Sequence, residues 1–136
     1  MMIDSSVLIA ILENEPEAER LIEAITHDSV RLISAVSIVE TSIVILNRRG
    51  EAGLAELDSF LQAAGIETIA VTPEQANFAR QAYERYGKGR HPAKLNFGDC
   101  FSYAAAIACG EPLLFKGNDF SETDISCCID WKINEK

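Results

Sequence analysis

The chain has 136 residues, of which 48% are hydrophobic and 24% are charged, and its formal net charge is −9 at pH 7. This size and composition predict one globular domain over residues 1–136 with a substantial hydrophobic core, and they exclude a disordered chain. The acidic balance excludes broad, non-specific binding of nucleic-acid backbones, which needs an excess of Lys and Arg.

Short apolar and β-branched runs predict four strands and a possible fifth strand at the sheet edge. In chain order, the five runs lie at residues 2–4, 30–33, 66–71, 112–115 and 126–129. Helical patterns separate the strands, and this alternation is typical of the α/β class. The sequence therefore predicts an α/β fold with a largely parallel sheet of four or five strands, flanked by helices.

Two helices are predicted before the second strand and two after it. Ser5 or Ser6 is expected to cap the first, and Asn14 to cap the second, whose buried side includes Ile22. The third helix carries an apolar stripe made of Val36, Val39, Ile43 and Leu46. Gly50 ends this helix and separates it from the fourth.

The second half of the chain predicts two further helices. Residues 72–75 form a capping box that begins one of them, and Tyr83 lies on its predicted buried side. Asn96 is expected to cap an alanine-rich helix that ends at Gly110. Asp99 falls in the first turn of that helix, where the helix dipole favours a carboxylate.

Four carboxylates follow strands or lie in the helices that come after strands: Asp4, Glu40, Asp99 and Asp119. Because the carboxyl ends of parallel strands meet at one edge of a sheet, we expect all four to converge there. Clustered carboxylates repel, and a hard divalent cation such as Mg²⁺ or Mn²⁺ relieves that repulsion. Such an ion also activates water for attack on a phosphoryl group. We expect Asp4, Asp99 and Asp119 to be metal ligands, and Glu40 to orient the attacking water or bind a second ion.

Each of these residues also has a purely structural interpretation. Asp4 could cap the first helix, and Asp119 could be a turn residue. Glu40 is the hardest to explain in this way, because a carboxylate in an apolar stretch needs a partner. Two hydroxyl side chains, Ser6 and Ser102, could support the site or could cap and pack. It is the joint placement of the acids that favours a functional site.

Four segments around these acids carry a resemblance to a known family. They are Met-Ile-Asp-Ser-Ser at residues 2–6, Ile-Ser-Ala-Val-Ser-Ile-Val-Glu at 33–40, Leu-Asn-Phe-Gly-Asp-Cys-Phe-Ser-Tyr at 95–103 and Leu-Leu-Phe-Lys-Gly-Asn-Asp-Phe at 113–120. In this order, and over essentially the whole chain, the sequence resembles a PIN-domain ribonuclease, and in particular a VapC-type toxin of a type II toxin–antitoxin pair.

The resemblance implies Mg²⁺-dependent cleavage of RNA by in-line attack of water, leaving a 3′-hydroxyl and a 5′-phosphate. It also implies a homodimer and a cognate antitoxin whose tail enters the acidic site. Asp124 lies close enough to Asp119 in the sequence to be an alternative fourth acid. The alternative function is a non-catalytic PIN-like module, because apolar residues between 35 and 64 could be either core or a docking surface.

Five of the 12 Lys and Arg residues fall close together, and they are Arg80, Arg85, Lys88, Arg90 and Lys94. This stretch leads directly into the helix of Asp99, so it could carry an RNA backbone towards the acids. The alternative is a solvated helix face, since late basic residues suit a helix C-terminus. We expect Arg90 and Lys94 to contact RNA.

Other features of the sequence exclude two further classes of protein and indicate the cellular compartment. Asp4 is followed by two serines, so the chain lacks the adjacent acids of a receiver domain and the Asp-x-Asp of a haloacid-dehalogenase-like phosphatase. The apolar run at residues 7–12 is too short for a membrane span and has no basic flank typical of a signal peptide. No two of the four cysteines have C-x-x-C spacing, which favours reduced thiols. We therefore expect a cytoplasmic protein without a membrane partner.

Overall fold

The computed structural model describes residues 1–129, and its sheet has four short parallel strands. They are β1 (Met2–Ile3), β2 (Leu32–Ser34), β3 (Glu67–Ile69) and β4 (Leu113–Leu114). Their order across the sheet is β3-β2-β1-β4, so β1 is a central strand that pairs with both β2 and β4. The predicted α/β fold with a parallel sheet flanked by helices is therefore confirmed.

Five helices occur within residues 1–129, and each lies where the apolar pattern predicts helix. They are α1 (Ser5–Leu12), α2 (Ala18–His27), α3 (Ala35–Ala63), α4 (Pro73–Tyr86) and α5 (Phe97–Cys109). α3 is interrupted at Gly50, whose φ of 66° is left-handed backbone that glycine adopts without strain. Its two halves correspond to the two helices that the sequence predicts on either side of Gly50.

Both faces of the sheet are buried, and successive side chains of each strand enter different hydrophobic clusters. On one face, Met2 and Leu113 pack with residues of α4 and α5. On the other face, Ile3 and Leu114 pack with residues of α1, α2 and α3. Burial on both faces is typical of parallel sheets. The carboxyl ends of β1 and β4 therefore point to one shared edge, where the chain continues towards the predicted acids.

Neither Ser5 nor Ser6 caps the first helix and Asn14 does not cap the second, whereas the alternative cap of the first helix, Asp4, is observed. Asp4 caps α1, because its Oδ2 accepts a hydrogen bond from the backbone N–H of Ser6 at 3.1 Å. The hydroxyls of Ser5 and Ser6 are thereby left for other contacts. Asn14 has a φ of 51° and lies in the turn before α2, which begins only at Ala18. Asn tolerates this left-handed backbone better than most residues, which explains its place in a turn.

Most of the apolar stripe of α3, for which the sequence leaves core and docking surface open, faces solvent. Three of its four members are 46–58% exposed, and these are Val39, Ile43 and Leu46. The buried side of the same segment carries Ser37, Thr41 and Ile45. Small hydroxyl side chains let α3 approach α5 closely, and the Oγ atoms of Ser37 and Ser102 lie 3.1 Å apart. Hydrophobicity alone therefore does not identify the buried face of this helix.

Further local predictions are corrected by the structure. Ile22 and Tyr83 are exposed rather than buried. Residues 126–129 do not form a fifth strand, since their pairing with the sheet is a single bridge between Leu113 and Cys127. Within residues 1–129, no helix combines the length and the apolar character that a membrane-spanning helix needs.

Candidate active site

Asp4 lies at the end of β1 and is almost fully buried. Its Oδ2 caps α1, and its Oδ1 accepts a hydrogen bond from the Ser102 hydroxyl of α5 at 2.5 Å. Ser102 in turn lies against Ser37 of α3. The Asp4 carboxylate is therefore fixed both by its own helix and by a hydroxyl pair that joins α3 to α5. Asp4 therefore has the structural role of a helix cap and also remains a candidate for the functional role that the sequence predicts.

Asp99 is held at the beginning of α5 by a reciprocal capping box, as the sequence predicts. The Asn96 side chain accepts from the Asp99 N–H at 2.9 Å, and Asp99 Oδ2 accepts from the Asn96 N–H at 3.0 Å. Burial, together with the nearby Asp4, Asp119 and Glu40 carboxylates, raises the pKa of Asp99 to about 7, although the hydrogen bond from the Asn96 N–H acts in the opposite direction. The structure thus brings the four predicted acids close enough to repel one another.

Asp119 lies in the loop after β4 and faces the same cluster. Burial and the charge of Asp4 raise the pKa of Asp119, while a hydrogen bond with the Asp99 side chain acts in the opposite direction. The Ser6 hydroxyl accepts a hydrogen bond from the backbone N–H of Lys116 at 3.0 Å. Ser6 therefore anchors the start of the loop that carries Asp119, which is a supporting position next to the cluster.

Glu40 reaches the cluster from the second turn of α3. Its Oε1 accepts a hydrogen bond from the Ser5 hydroxyl at 2.5 Å. Its carboxyl group also lies against Gly98, where an added Cβ would be only 2.0 Å from Glu40 Oε2. Only a glycine at this position leaves room for the Glu40 carboxylate beside the first turn of α5. Glu40 therefore has the polar partner that its apolar stretch requires.

Reasoning from the sequence missed three residues of the site: Ser5 and Gly98, which contact Glu40, and Ser37, which contacts the Ser102 hydroxyl. A partial signal existed for two of them, because Ser37 precedes Glu40 by one helical turn and Gly98 adjoins Asp99. No spacing rule relates Ser5 to Glu40, since the contact depends on how α1 packs against α3. Tertiary packing alone brings these two side chains together.

Asp124 does not join the four acids. Its Oδ1 accepts a hydrogen bond from the Tyr103 hydroxyl at 2.5 Å, and its Oδ2 lies 3.7 Å from an Arg85 guanidinium nitrogen. It is also absent from the carboxylates that raise the pKa of Asp99. In this structure Asp119, rather than Asp124, occupies the fourth position of the cluster.

The basic stretch begins in α4, which carries Arg80 and Arg85, and continues in the loop between α4 and α5. Arg90 and Lys94 are both exposed, and neither forms an ion pair within residues 1–129. The loop closes on itself through a bridge between Gly87 and Leu95, directly before the cap of α5. The two basic side chains are therefore on the surface, within a few residues of Asp99 in the sequence.

The acids fit a hard divalent cation by their chemistry rather than by a preformed geometry. As the side chains stand in residues 1–129, no three Asp, Glu, His or Cys residues are arranged to hold a metal ion. Asp4, Glu40 and Asp99 each use an oxygen in a hydrogen bond to a neighbouring group. The donor set nevertheless consists of carboxylate oxygens, which Mg²⁺ and Mn²⁺ prefer, and a cation would offset the repulsion that raises the pKa of Asp99.

The chain is similar to a known family and to curated proteins over most of its length. Residues 1–126 match the family model of the PIN domain. The chain is 53% identical over 126 residues to a VapC ribonuclease of Mycobacterium bovis, covering 93% of this chain and 96% of that protein. It is 55% identical over 126 residues to ribonuclease VapC of Mycolicibacterium smegmatis, covering 93% of this chain and 98% of that protein.

Solved structures share the fold. A VapC toxin of Mycobacterium tuberculosis that cleaves the sarcin-ricin loop has a TM-score of 0.70 at 22% identity, covering 91% of this chain and 95% of that chain. VapBC2 from Rickettsia felis, bound to a DNA fragment from its promoter, has a TM-score of 0.71 at 18% identity, covering 93% of this chain and 95% of that chain. With a family match over residues 1–126 and relatives at 53% and 55% identity, the chain belongs to the PIN-domain family and, within it, to the VapC group.

Proposed function

We propose that this chain is a metal-dependent endoribonuclease and the toxin of a type II toxin–antitoxin pair. The observation that carries the proposal is the cluster of Asp4, Glu40, Asp99 and Asp119, in which burial of Asp99 and the charges of the other three carboxylates raise the pKa of Asp99. A fold that serves only as scaffold gains nothing from four mutually repelling acids. Relatives at 53% and 55% identity that are named ribonucleases support the choice of RNA as substrate.

Asp4, Asp99 and Asp119 are the residues that would hold Mg²⁺ or Mn²⁺. The ion supplies charge stabilisation at the phosphoryl group and lowers the pKa of a bound water. Asp4 is pre-oriented by Ser102, and Asp99 by the backbone N–H of Asn96, so neither side chain must be ordered when substrate arrives.

Glu40 acts on the attacking water in this proposal. The Ser5 hydroxyl occupies Glu40 Oε1, which leaves Oε2 to orient the water and accept its proton. Attack in line with the 3′ oxygen of the upstream nucleotide then yields a 3′-hydroxyl and a 5′-phosphate. The Ser5 hydroxyl is therefore a positioning group, and Glu40 is the group that contacts the reacting atoms.

The VapC relationship supports a proposal about protein partners. We propose a homodimer and a cognate antitoxin in the cytoplasm, and the exposed apolar side of α3 next to Glu40 is a suitable surface for either contact. A groove of about 600 Å³ runs along it, lined by Val36, Val39, Glu40, Ile43 and Phe97. A Klebsiella pneumoniae toxin–antitoxin complex has the same fold, with a TM-score of 0.68 at 18% identity, covering 90% of this chain and 92% of that chain.

Cleavage of a mixed RNA pool tests the proposed function. The purified chain is incubated with Mg²⁺ or Mn²⁺, with and without EDTA, and the product ends are identified. We expect metal-dependent cleavage that leaves 5′-phosphates and is lost in a folded Asp4→Asn variant. Cleavage that persists in EDTA or in Asp4→Asn would show that another site, or a contaminating nuclease, is responsible.

The second candidate function is that of a non-catalytic module that only binds partners. The exposed apolar residues of α3 favour it, since they would serve a docking surface without any chemistry. The two functions differ in metal binding. A module with an inactive cluster has no need of a cation, so a wild-type protein that neither cleaves RNA nor gains thermal stability with Mn²⁺ would support the second candidate.

Neutralising Arg90 and Lys94 together is expected to weaken RNA binding several-fold and to reduce its salt dependence. Both side chains are exposed on the loop before α5, so their loss should leave the fold unchanged. The measurement is the affinity of Arg90→Gln/Lys94→Gln for labelled RNA across a salt series. Arg48→Gln, an exposed residue at the bend of α3, is the control. If the dependence of RNA affinity on salt concentration is unchanged in the double variant, the loop is not part of the RNA-binding surface.

Replacing Asp124 by Ala is expected to leave RNA cleavage within about twofold of wild type. It should lower the free energy of unfolding by about 1 kcal/mol, because the Tyr103 hydroxyl loses its acceptor. Asp119→Asn provides the contrast and should abolish cleavage. Loss of cleavage in Asp124→Ala, with retention in Asp119→Asn, would reverse the assignment of the fourth acid.

A further inference from the structure

Asp119 differs from the other three acids in how the chain holds it. Asp4 caps α1, Asp99 takes part in the capping box of α5 and Glu40 lies within α3, so a helix fixes each of them. Asp119 is exposed and lies in the loop after β4 rather than in a helix. The nearby charge of Asp4 opposes its approach, since like charges repel. The loop therefore needs other contacts that keep Asp119 at the cluster.

Lys116, three residues before Asp119, anchors this loop to both ends of α1. Its backbone N–H donates a hydrogen bond to the Ser6 hydroxyl, in the first turn of α1, at 3.0 Å. Its side-chain Nζ donates a hydrogen bond to Glu15 Oε2, just beyond the last turn of α1, at 2.6 Å. One residue thus joins the loop of Asp119 to the helix that Asp4 caps.

Glu17 strengthens the same anchor. Its Oε2 lies 3.6 Å from Lys116 Nζ, and its side chain forms no capping hydrogen bond at the start of α2. The hydrogen bond with Glu15 raises the pKa of Lys116, so the ammonium stays charged. The three side chains are only 32–34% exposed, and water therefore screens these ion pairs less than it screens pairs on an open surface.

Asp119 lies between this anchor and a second one. Only two exposed residues, 117 and 118, separate it from Lys116. On its other side, Phe120 is buried, and its ring packs against the ring of Phe115 with centroids 5.0 Å apart. The core holds Phe120, whereas the ion pairs with the α1–α2 turn hold Lys116, so both ends of this short segment are fixed.

We propose that Lys116 is a positioning residue for Asp119, and that its ion pairs with the α1–α2 turn hold the Asp119 carboxylate at the cation site. This inference rests on the proposed function, in which Asp119 is a ligand of the divalent ion. Glu15 and Glu17 bind the ammonium, so Lys116 acts through the loop rather than by contact with the reacting atoms. Residues that orient the ligands of a metal typically change its affinity by about 10–100-fold.

The test measures metal binding and RNA cleavage by the full chain carrying Lys116→Met, which removes the charge and keeps a long side chain. Thermal stability is followed with increasing Mn²⁺, and we expect stabilisation to set in at an about tenfold higher metal concentration. At a fixed, sub-saturating Mn²⁺ concentration, kcat should fall about tenfold while the KM for RNA changes little. Lys116→Arg should restore both. Charge alone predicts the opposite for Lys116→Met, because removing a positive charge near the acids favours cation binding.

Two further variants isolate the ion pairs. Glu15→Gln/Glu17→Gln removes their acidic half and should weaken Mn²⁺ binding as Lys116→Met does, with no additional loss when the two are combined. Arg49→Met is the matched control, because Arg49 is 33% exposed, as Lys116 is 32% exposed, and pairs with Glu56 within α3. It should leave the metal dependence unchanged.

Unchanged or tighter Mn²⁺ binding by Lys116→Met would overturn the positioning inference and leave the nuclease proposal standing. If Lys116→Met does not fold, the Glu15→Gln/Glu17→Gln protein decides, and full Mn²⁺ affinity in it would overturn the inference. Loss of RNA affinity in Lys116→Met but not in the glutamine variant would assign Lys116 to direct contact with RNA and would also overturn it. A wild type with neither metal-dependent stability nor cleavage would contradict the proposed function, and the positioning role with it.

Discussion

Asp99→Asn is expected to abolish RNA cleavage and, at the same time, to make the metal-free protein more stable at about pH 8. The activity should fall by about 10³-fold or more, because a charged group at the reacting phosphate is lost. The stability should rise because a buried carboxylate beside Asp4, Asp119 and Glu40 becomes neutral. Asn keeps an oxygen that can accept from the Asn96 N–H, so the capping box survives.

The sign of the pH dependence follows from the direction of the pKa shift. Folding raises the pKa of Asp99 from 3.8 to about 7, mainly by burial. The folded state therefore binds the proton more tightly than the unfolded state, and the stability contributed by protonation is complete below about pH 4. It is lost as the pH rises to about 7. The gain from Asp99→Asn should thus be on the order of 2 kcal/mol at pH 8 and absent at pH 4.

Urea unfolding in EDTA at both pH values measures this gain. Asp58→Asn, which removes the same charge from an exposed position on α3, is the matched control and should change little at either pH. An Asp99→Asn protein that is less stable than wild type at pH 8 would show that burial and the neighbouring carboxylates do not destabilise the charged form of Asp99 there.

Gly98→Ala is expected to reduce RNA cleavage by about 10²-fold, although no charged group is removed. The added Cβ would lie 2.0 Å from Glu40 Oε2 and 2.6 Å from its carboxyl carbon, so the Glu40 side chain must move away from the cluster. Helix propensity alone would favour Ala over Gly at an exposed position by roughly 1 kcal/mol. The atoms that the new Cβ meets are the end of the flexible Glu40 side chain, so displacement of Glu40 relieves the clash and the change in stability should be small.

The Glu40→Ala background isolates the cause of this effect. Glu40→Ala removes the atoms that the new Cβ would meet, so adding Gly98→Ala to it should leave stability unchanged or slightly increased. The measurement is the free energy of unfolding of the two single variants and the double variant. An equal loss of stability from Gly98→Ala in both backgrounds would mean that α5, rather than Glu40, requires the glycine.

The parts of the fold that were predictable are those governed by short-range patterns. The alternation of strands and helices predicted the α/β class. Strands and helices can be told apart in the sequence because their buried apolar residues recur at different spacings. The cap at Asn96 was predictable because a side chain three residues away completes it. The convergence of the acids followed from a topological rule, since Asp4 ends one strand and Asp119 follows its neighbour in the sheet.

The rest depended on tertiary packing. The sequence left open whether the apolar stripe of α3 is core or a docking surface, because the close approach of α3 to α5 at the Ser37–Ser102 contact, which requires small side chains on the inner face, is not visible in it. The choice between Asp4 and Ser5 as the cap of α1 could not be made locally, since both are good capping residues. It is resolved by Glu40, which accepts the Ser5 hydroxyl from another helix.

The central claim is that these carboxylates form one cation site, and a metal titration of thermal stability tests it most directly. Unfolding of the wild-type protein, Asp4→Asn, Asp99→Asn and Asp58→Asn is followed at about pH 8 with increasing Mn²⁺ or Mg²⁺. The wild type and Asp58→Asn should gain stability with the logarithm of the metal concentration, whereas Asp4→Asn and Asp99→Asn should gain little. A wild-type protein without any gain at millimolar metal, or an Asp4→Asn protein that keeps the full gain, would contradict the claim.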